Sequence, residues 1–251
     1  MSGLMPYVSI ITLSYNSGES LLLSIDSAFE QNYENIEIII VDDCSKDFSC
    51  QEVERYIKNK FSTSKKKLTV KKNDENIGTV KNLNRAINLA SGEIIIHLSS
   101  GDTFFDHSTV SCIVEKFKED YCPFIITSRV LVDKLTRNRI RFMPDWEERR
   151  NIKRINTPKK QNTAIYTGNF YNMASGAALA YKTEYIRCMG LFDESYVLWE
   201  DGPFFEKVTR NGYVLHQNYD LTTICYEGGG ISNSAISPLL KRDVIHFLNC
   251  G

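Results

Sequence analysis

The sequence predicts an α/β protein built on a doubly wound, mostly parallel sheet, and three observations predict that fold class. Short apolar runs rich in Ile and Val alternate along the chain with stretches whose apolar residues recur at helical spacing. The run from Ile94 to Leu98 lacks regular polar alternation, as expected for a strand buried on both faces. Several runs end in small, polar or acidic residues. Alternating strands and helices form βαβ units, whose strands are parallel and whose helices cover the sheet.

The N-terminal segment predicts a strand, a helix and a second strand. Tyr7 to Leu13 is rich in β-branched and aromatic residues and forms the first predicted strand. Glu19 to Gln31 is predicted to be an amphipathic helix, and Ile36 to Val41 a buried strand. The helical spacing is that of Leu21, Leu22, Ile25, Ala28 and Phe29.

The same alternation continues as far as residue 128, so the N-terminal half is predicted to be regular throughout. Three helices are predicted, through Val53, Tyr56, Ile57 and Phe61, through Leu83, Ala86, Ile87 and Ala90, and through Val110, Ile113, Val114 and Phe117. Strands are predicted at Leu68–Lys71, Ile94–Leu98 and Phe124–Ser128, and a polar loop at Asn73–Gly78.

From about residue 129 to residue 172 the periodic pattern is lost. The segment is rich in Arg, Lys and Asn, so we expect a long irregular stretch of the kind that often carries function. A strand is then predicted at Met173–Tyr181, a helix from Thr183 to near Gly190, a helix through Phe204, Phe205 and Val208, and strands near Tyr213–Gln217 and Leu221–Tyr226. We expect one domain with halves at about 7–128 and 129–232, and a C-terminal extension at 233–251.

Composition narrows the classes of function. The 251 residues carry a formal net charge of −1, which argues against a protein that coats nucleic acid, and we expect no nucleic-acid partner. The seven cysteines are scattered and form no C-x-x-C pair, as is typical of a reducing compartment. No apolar stretch is long enough to span a bilayer. We therefore expect a cytoplasmic protein.

Four polar clusters follow predicted strands, at Tyr15-Asn16, Asp42-Asp43, Ser99 to Asp102, and Glu200-Asp201. Ligands bind at the carboxyl ends of strands in open α/β sheets, so this clustering predicts a nucleotide site. Neither G-x-G-x-x-G nor G-x-x-x-x-G-K-[ST] is present, which argues against dinucleotide-binding and P-loop proteins. Without a glycine-rich phosphate cradle, a divalent cation (Mn²⁺ or Mg²⁺) held by Asp102 would meet the pyrophosphate charge. The alternative is an Asp102 that only caps the next helix.

Five motifs together resemble family 2 glycosyltransferases of the GT-A fold, over residues 8 to about 232. They are Val8–Asn16, Glu37–Asp43 with Ser45, Asn76-Ile77-Gly78 with Asn84, Gly190–Glu194, and Glu200-Asp201. The resemblance implies an inverting glycosyltransferase that moves a sugar from a nucleotide diphosphate sugar, with UDP as the expected nucleotide, to an acceptor hydroxyl in bacterial surface polysaccharide synthesis. The N-terminal half would bind the nucleotide-sugar donor, and residues 129–232 a glycan or lipid-linked glycan acceptor.

The resemblance also implies roles for single residues. Leu13 (through its backbone), Tyr15 and Asp43 would bind the base, and Asp201 would be the catalytic base. Ser100, Gly101 and Asp102 lie where the family keeps its D-x-D motif. Independently of the resemblance, Gly176, Trp199, Glu200 and Glu227 are expected on the acceptor side, and for Glu227 the alternatives are an approach to the metal or an exposed loop acid. The residue beside Asp201, Glu200, is the rival base, and a purely structural role for Asp201 is a helix N-terminal carboxylate.

This chain departs from the family at the D-x-D motif. The usual L-D-x-D-D stretch reads Leu98-Ser99-Ser100-Gly101-Asp102, so both aspartates of D-x-D proper are replaced. Either Asp102 alone anchors the metal together with water and phosphate ligands, or metal binding is weak. The departure also leaves open a catalytically silent nucleotide-sugar or glycan-binding protein. A sugar nucleotidyltransferase would need a glycine-rich basic loop after the first strand, which Ser14 to Glu19 does not provide.

Two further features carry expectations. The basic tract from Arg137 to Lys160 includes Phe142, Trp146 and Ile155, a mixture that suits anionic lipid headgroups or a lipid-linked pyrophosphate. It predicts a peripheral contact with the inner face of the membrane, and the alternative is an ordinary solvated surface. His97, inside the strand before the D-x-D position, is expected to be a satisfied residue of the sheet.

Overall fold

The computed structural model describes residues 5–119, 122–168, 175–226 and 237–250. Within these ranges the strands form one mixed sheet. They are β1 Val8–Ser14, β2 Ile36–Asp42, β3 Lys67–Lys72, β4 Ile94–His97, β5 Thr103–Phe104, β6 Phe124–Val132, β7 Arg139–Met143, β8 Leu179–Lys182 and β9 His216–Tyr226. The order across the sheet is β3-β2-β1-β4-β8-β6-β9-β5, and β7 pairs with β6 at the side.

The helices lie on both faces of this sheet. They are α1 Ser20–Phe29, α2 Cys50–Lys60, α3 Thr79–Leu89, α4 Thr109–Glu119, α5 Trp146–Ile152, α6 Pro158–Tyr166, α7 Thr183–Cys188, α8 Asp201–Arg210 and α9 Pro238–Cys250. Side chains from α1, α2 and α4 share one apolar cluster with the sheet, and side chains from α3, α7, α8 and α9 share the other. No helix in the described ranges has both the length and the apolar character needed to cross a bilayer.

The fold class is confirmed, and its parallel part lies mainly in the N-terminal half. Strand β1 pairs in parallel with β2 and β4, and β2 pairs in parallel with β3. All residues of β2 and β4 are buried, as their Ile-rich sequences predict. Beyond β4 the pairing becomes mixed, because β8 runs antiparallel between β4 and β6 while β6 and β9 are parallel.

The prediction of a long irregular stretch from residue 129 to residue 172 was wrong for its described part. Strand β6 extends to Val132, and β7, α5 and α6 follow it. These elements are short, and much of β7 is exposed, so they leave little apolar periodicity. Both helices instead begin at side-chain caps: Asp145 forms a capping box with Glu148, and Thr157 accepts a hydrogen bond from the Lys160 N–H.

Two strand predictions also need correction. The described part of the predicted strand Met173–Tyr181 begins with a 3₁₀ turn at Gly176–Ala178, and only Leu179–Lys182 forms β8. The small residues Gly176–Ala178 allow the backbone to pack closely in this turn, so they do not extend the strand. The predicted pair of strands at 213–217 and 221–226 is one strand, β9, with register shifts where it pairs with β6.

Candidate active site

Three strand ends meet at the carboxyl edge of the parallel strands. The Asp43 N–H donates to the Ser14 carbonyl over 2.8 Å, and the Leu98 N–H donates to the Ile11 carbonyl over 3.0 Å. The Asn16 N–H donates to the Ser45 hydroxyl over 2.7 Å. The loops that follow β1, β2 and β4 are therefore neighbours, as their parallel register requires.

Of the predicted base-binding residues, Asp43 is buried and accepts three hydrogen bonds, whereas Tyr15 is exposed. The Asp43 carboxylate accepts hydrogen bonds from the Asn73 side chain at 2.7 Å and from the Ile77 and Gly78 N–H groups, both at 2.9 Å. It thus holds the loop between β3 and α3 against the end of β2. The Tyr15 side chain is 55% exposed, which leaves its ring free to stack on a planar ligand.

The degenerate D-x-D loop is fixed to α1 through Ser24. The Ser24 hydroxyl lies 2.7 Å from the Asp102 carbonyl and accepts a hydrogen bond from the Gly101 N–H at 2.8 Å. Gly101 has φ of +94°, a conformation that L side chains rarely adopt. The buried Ser100 hydroxyl has no hydrogen-bond partner within the described ranges. A buried unpaired hydroxyl is uncommon in folded proteins, and a ligand oxygen at this loop would satisfy it.

Burial raises the pKa of Asp102 to about 6, even though three neighbours stabilise its charged form. The Cys225 thiol and the Tyr226 backbone N–H are hydrogen-bonded to its carboxylate, and Arg129 supplies a positive charge nearby. Pairing of β5 with β9, in which Thr103 lies opposite Ile224, brings these residues together. Burial and the Asp102 charge raise the pKa of the Cys225 thiol, which keeps it a donor. Sequence reasoning missed this contact because it joins distant strands.

Asp102 fits a cation that takes its other ligands from phosphate and water. Its carboxylate is buried in surroundings that disfavour its charge, and a divalent cation would relieve that cost. In the described ranges, no three His, Cys, Asp or Glu side chains gather into a metal-binding group. A single carboxylate with phosphate oxygens is nevertheless a known arrangement for Mg²⁺.

The two carboxylates predicted for the acceptor side, Glu200 and Asp201, lie at the start of α8. Asp201 Oδ2 accepts a hydrogen bond from the Gly176 N–H at 3.1 Å, and Oδ1 accepts one from the Gly202 N–H at 2.8 Å. These N–H groups and the helix N-terminus stabilise negative charge on the Asp201 carboxylate. The predicted acceptor-side residues Gly176, Trp199 and Glu200 are therefore neighbours of Asp201, while Glu227 lies outside the described residues.

Glu200 differs from Asp201 in its environment. Burial and the negative charge of Asp201 raise the pKa of Glu200 well above the usual carboxyl range, which favours its protonated form. A Cβ atom at Gly176 would lie 2.8 Å from Glu200 Oε1, so a side chain there would displace the carboxyl group. The Trp199 ring covers Gly202 even more closely, since a Cβ atom at Gly202 would lie 2.2 Å from Trp199 Cζ2. Two glycines thus allow the close packing around this carboxylate pair.

His97 connects the end of β4 to this cluster. Its Nε2 lies 2.8 Å from the Tyr181 hydroxyl, and its ring is also hydrogen-bonded to the backbone of Gly176. Burial lowers the pKa of His97 to about 4, so the ring is neutral at physiological pH. The expectation that His97 is satisfied within the sheet is confirmed. Through Gly176 it also supports the turn that binds Asp201.

Two of the recognised motifs are joined by Asn84 of α3. Its side-chain amide donates to the Phe192 carbonyl at 2.9 Å and to the Glu194 carboxylate at 3.0 Å. The Phe192 N–H donates back to the Asn84 oxygen at 3.0 Å. Asn84 therefore fixes the Gly190–Glu194 turn against the donor-side helix.

A comparison of the sequence with known protein families identifies the family of the chain. The sequence profile described as "Glycosyl transferase family 2" matches residues 9–175, which include the strand ends, the D-x-D loop and the first residue before Gly176. The chain belongs to this family. Family membership confirms the resemblance read from the five motifs, and the activity of the family is that of a glycosyltransferase.

Three relatives are glycosyltransferases by description. An uncharacterized glycosyltransferase of Haemophilus influenzae is 22% identical over 97% of this chain and 75% of its own length. A putative teichuronic acid biosynthesis glycosyltransferase, TuaG of Bacillus subtilis, is 30% identical over 53% of this chain and 50% of its own. WfaP of Escherichia coli, a UDP-Glc:α-D-GlcNAc-diphosphoundecaprenol β-1,3-glucosyltransferase, is 37% identical over 39% of this chain and 36% of its own. The chain thus spans half or less of the length of TuaG and of WfaP.

Two solved structures share the fold. The Staphylococcus aureus TarS fragment 1–349, in complex with UDP-GlcNAc, has a TM-score of 0.71 and 21% identity over 97% of this chain and 66% of the fragment. The mannosyltransferase PcManGT of Pyrobaculum calidifontis, in complex with GDP-Man and Mn²⁺, has a TM-score of 0.63 and 19% identity over 90% of this chain and 57% of its own. At these identities the likeness establishes the GT-A fold.

Proposed function

We propose that this family 2 glycosyltransferase transfers a sugar from a UDP-sugar to an acceptor hydroxyl with inversion at the anomeric carbon. The observation that carries the proposal is the Asp201 carboxylate, which begins α8, accepts hydrogen bonds from the Gly176 and Gly202 N–H groups and lies beside Glu200, whose protonated form burial favours. His97 connects this pair, through Gly176, to the end of β4, from which the D-x-D loop leaves. The transfer requires a base that is held close to the donor, and the connection through β4 links the proposed base to the donor loop.

The donor would bind across the ends of β1, β2 and β4. The exposed Tyr15 ring would stack on the base, and the Leu13 backbone would contact it. Asp43 shapes this pocket through the loop that it holds, and its direct contact with the base stays a prediction. UDP is supported by the TarS complex with UDP-GlcNAc. The unpaired Ser100 hydroxyl and the neighbouring Gly101 would face the diphosphate.

Asp102 would hold the divalent cation. When bound, a Mn²⁺ or Mg²⁺ ion supplies charge neutralisation for the leaving diphosphate. The buried carboxylate of Asp102 and the Mn²⁺ in the PcManGT complex support this assignment. The Cys225 thiol and the Tyr226 N–H orient the same carboxylate, so the strand pairing of β5 with β9 fixes its direction.

Asp201 would accept the proton of the acceptor hydroxyl as the new glycosidic bond forms. Direct attack by that oxygen, with the diphosphate leaving from the opposite side, inverts the anomeric carbon and needs one base. Glu200 is the weaker choice because its surroundings favour the protonated form. Protonated Glu200 can instead donate a hydrogen bond to a sugar hydroxyl.

The acceptor would be a glycan or a lipid-linked glycan in bacterial surface polysaccharide synthesis. The printed activity of WfaP uses a diphosphoundecaprenol-linked sugar, and TuaG is assigned to teichuronic acid biosynthesis. Both support this class of acceptor. Since the chain spans only part of those relatives, the donor sugar and the linkage are left to the assay.

A surface on the β6–β7 hairpin and α5 would contact the anionic inner face of the membrane. Leu135, Ile140 and Trp146 are 91%, 47% and 72% exposed there, and Leu135 and Trp146 are the two most exposed large apolar side chains of the described residues. The guanidinium groups of Arg139 and Arg150 lie over the Phe142 and Trp146 rings. Apolar side chains beside arginines suit an interface between headgroups and acyl chains. We name these six residues the hairpin surface.

Donor turnover tests the proposed function. Purified protein is offered UDP-, GDP- and dTDP-sugars with a panel of lipid-linked and free glycan acceptors, each with Mn²⁺, with Mg²⁺ and with EDTA. We expect transfer from a UDP-sugar that EDTA abolishes. Tight UDP binding with no transfer to any acceptor would favour the silent binding protein, which the altered D-x-D loop makes the second candidate. Transfer that is indifferent to EDTA would remove the metal from the proposal.

A further inference from the structure

A short connecting segment, residues 197–199, leads directly into Glu200 and Asp201 and belongs to no helix or strand. Its three consecutive backbone N–H groups converge on one oxygen, Oδ2 of Asp243, at 2.9 Å from Val197, 2.7 Å from Leu198 and 3.2 Å from Trp199. Consecutive N–H groups that converge in this way form an anion-binding nest. Here the anion is a side chain of the C-terminal helix α9.

Asp243 is completely buried, although it is charged and far from either proposed substrate site in sequence. Burial opposes its ionisation, but the Leu198, Val197 and Trp199 N–H groups and the Arg242 guanidinium together lower its pKa below the usual range. Arg242 Nη2 donates to the second carboxylate oxygen at 3.0 Å. A buried carboxylate with this many donors is a fixed ion rather than a solvated surface group.

Other contacts keep α9 and the segment in register. Phe247, which is 4% exposed, packs edge-on against the Trp199 ring and stacks on Tyr166. The Trp199 ring in turn covers Gly202 in the first turn of α8. The helix and the segment therefore cannot shift independently without opening the apolar core.

The same segment also contacts the donor side. The Val197 carbonyl accepts a hydrogen bond from the Val80 N–H at 3.1 Å. A Cβ atom at Gly78 would lie 2.6 Å from Val197 Cγ1, and Gly78 is the residue whose N–H binds Asp43. The segment thus lies between the loop held by Asp43 and the carboxylate pair at the start of α8.

We propose that Asp243 is a positioning residue: it binds the three N–H groups of residues 197–199 and so sets the place of Asp201 relative to the donor loop. The proposal rests on the proposed function of Asp201 as the base. It concerns a residue outside the span matched by the family profile, which ends at residue 175. Asp43 holds the donor loop independently, so loss of Asp243 acts on the transfer step more than on donor binding.

The experiment compares Asp243→Ala, Asp243→Asn and Arg242→Ala with the parent. The Asn oxygen can still accept the three N–H bonds, so Asp243→Asn is the conservative rescue. Arg242→Ala is the matched control, because it removes only a half-exposed partner of the other carboxylate oxygen. For each variant we measure kcat, KM for the donor, the Kd for UDP and the pH dependence of kcat, at a temperature at which the variant is folded.

We expect Asp243→Ala to lose at least about tenfold in kcat, with the Kd for UDP within about threefold of the parent and the acid limb of the pH profile displaced. Asp243→Asn is expected to keep kcat within about threefold, and Arg242→Ala is expected to behave like the parent.

The proposal would be overturned if Asp243→Ala kept both the kcat and the pH profile of the parent. Equal losses of kcat and UDP affinity with an unmoved profile would also overturn it, because that pattern indicates general loosening. If Asp243→Ala does not fold, Asp243→Glu replaces it. The longer side chain moves the carboxylate away from the three N–H groups, so the same loss of kcat and the same displaced pH profile are expected, and parental behaviour of Asp243→Glu would overturn the proposal.

A second readout separates this proposal from the proposed function. Trp146→Phe leaves Trp199 as the single tryptophan, since the chain has two. In that background, Asp243→Ala is expected to shift the Trp199 emission and increase its quenching by acrylamide, whereas Arg242→Ala is not. Absence of transfer in the parent with this shift present would contradict the proposed function alone. An unchanged Trp199 signal would contradict the role of Asp243 whatever the activity.

Discussion

The donor half and the acceptor half of the sheet place their carboxylates by different means. In the donor half, Asp43 and Asp102 follow β2 and β4, whose positions are set by parallel register with β1. In the acceptor half, Asp201 begins a helix, and its place depends on the Gly176 turn from one direction and on the segment held by Asp243 from the other. The donor side is therefore fixed by strand pairing, and the acceptor side by contacts among separate loops and helices.

The two halves also differ in what surrounds their carboxylates and shifts the carboxyl pKa values. Among the described residues that act on Asp102 there is no second acid, so its raised pKa of about 6 reflects burial, and a bound cation would favour its charged form. The pKa of Glu200 is raised by burial and also by the negative charge of Asp201 beside it, which favours a proton on Glu200. Under the proposed function, Asp102 in the donor half would hold a divalent cation, whereas Asp201 in the acceptor half would act as the base.

The largest effect is expected from Asp201→Asn. The amide keeps nearly the same shape but cannot accept the acceptor proton, so transfer is expected to fall by at least about a hundredfold while UDP and metal binding persist. Initial rates at saturating donor measure the transfer, and titrations with UDP in the presence of Mn²⁺ measure the binding. Glu200→Gln serves as the control and is expected to lose far less. A Glu200→Gln enzyme as inactive as Asp201→Asn would mean that the two carboxylates have to be reassigned.

Asp102→Ala tests the donor half in the same way. UDP at a hundredfold over its Kd stabilises a protein by about 2.7 kcal/mol, and we expect the Mn²⁺-dependent part of that stabilisation to vanish in the variant. The measurement is the melting temperature of each protein with UDP, in the presence and in the absence of Mn²⁺. Asp106→Asn is the matched control, because the Asp106 carboxylate is occupied by Ser108 in the turn before α4. Equal Mn²⁺-dependent stabilisation of Asp102→Ala and the parent would place the metal elsewhere.

The pH dependence of stability sharpens the comparison of Glu200 with Asp201. Because its pKa is raised on folding, Glu200 binds its proton more tightly in the folded chain, so it lowers the free energy of unfolding as pH rises through neutrality. Glu200→Gln removes that contribution. We expect the melting temperature of the parent to decrease relative to Glu200→Gln by a few degrees between pH 5 and pH 9. Asp102 and His97 titrate in both proteins, so they cancel in the difference. Parallel curves would show that Glu200 is not held protonated.

The smallest effect concerns the hairpin surface. Each basic residue near an anionic leaflet contributes about 1 kcal/mol, and salt screens that attraction. Arg139→Glu with Arg150→Glu is expected to weaken sedimentation with phosphatidylserine vesicles, and parental binding is expected to fall as salt rises. Lys58→Glu with Lys65→Glu makes the same charge change in the donor half, on two exposed lysines, and is the control. Equal binding by both double variants would leave the hairpin surface as an ordinary solvated face.

The two halves also differ in how far the sequence predicts them. Strands β1, β2 and β4 are Ile-rich runs buried on both faces, and such runs are recognisable without any knowledge of partners. The helices α5 and α6 and strand β7 are short and charged, so their stability comes from caps and tertiary contacts that a periodicity argument overlooks. Two sequence signals could have indicated the helix starts: Asp145 followed three residues later by Glu148, which form a capping box, and Thr157 followed directly by Pro158.

The site shows the same division. The motif residues at strand ends could be predicted because parallel strands bring their carboxyl ends together. The contact of Cys225 with Asp102 depends on β9 pairing with β5, and the contact of Asp243 with residues 197–199 depends on the docking of α9. Neither follows from local pattern, because both join residues that are far apart in the chain.

The anomeric configuration of the product tests the central claim most directly. Once a UDP-sugar donor has been identified, the product is purified and its anomeric proton coupling is measured by NMR against that of the donor. Attack by a hydroxyl that Asp201 deprotonates, with direct departure of UDP, predicts a product of the opposite configuration. A product that retains the configuration of the donor would contradict the account, because a single backside displacement assisted by a base at residue 201 cannot give retention.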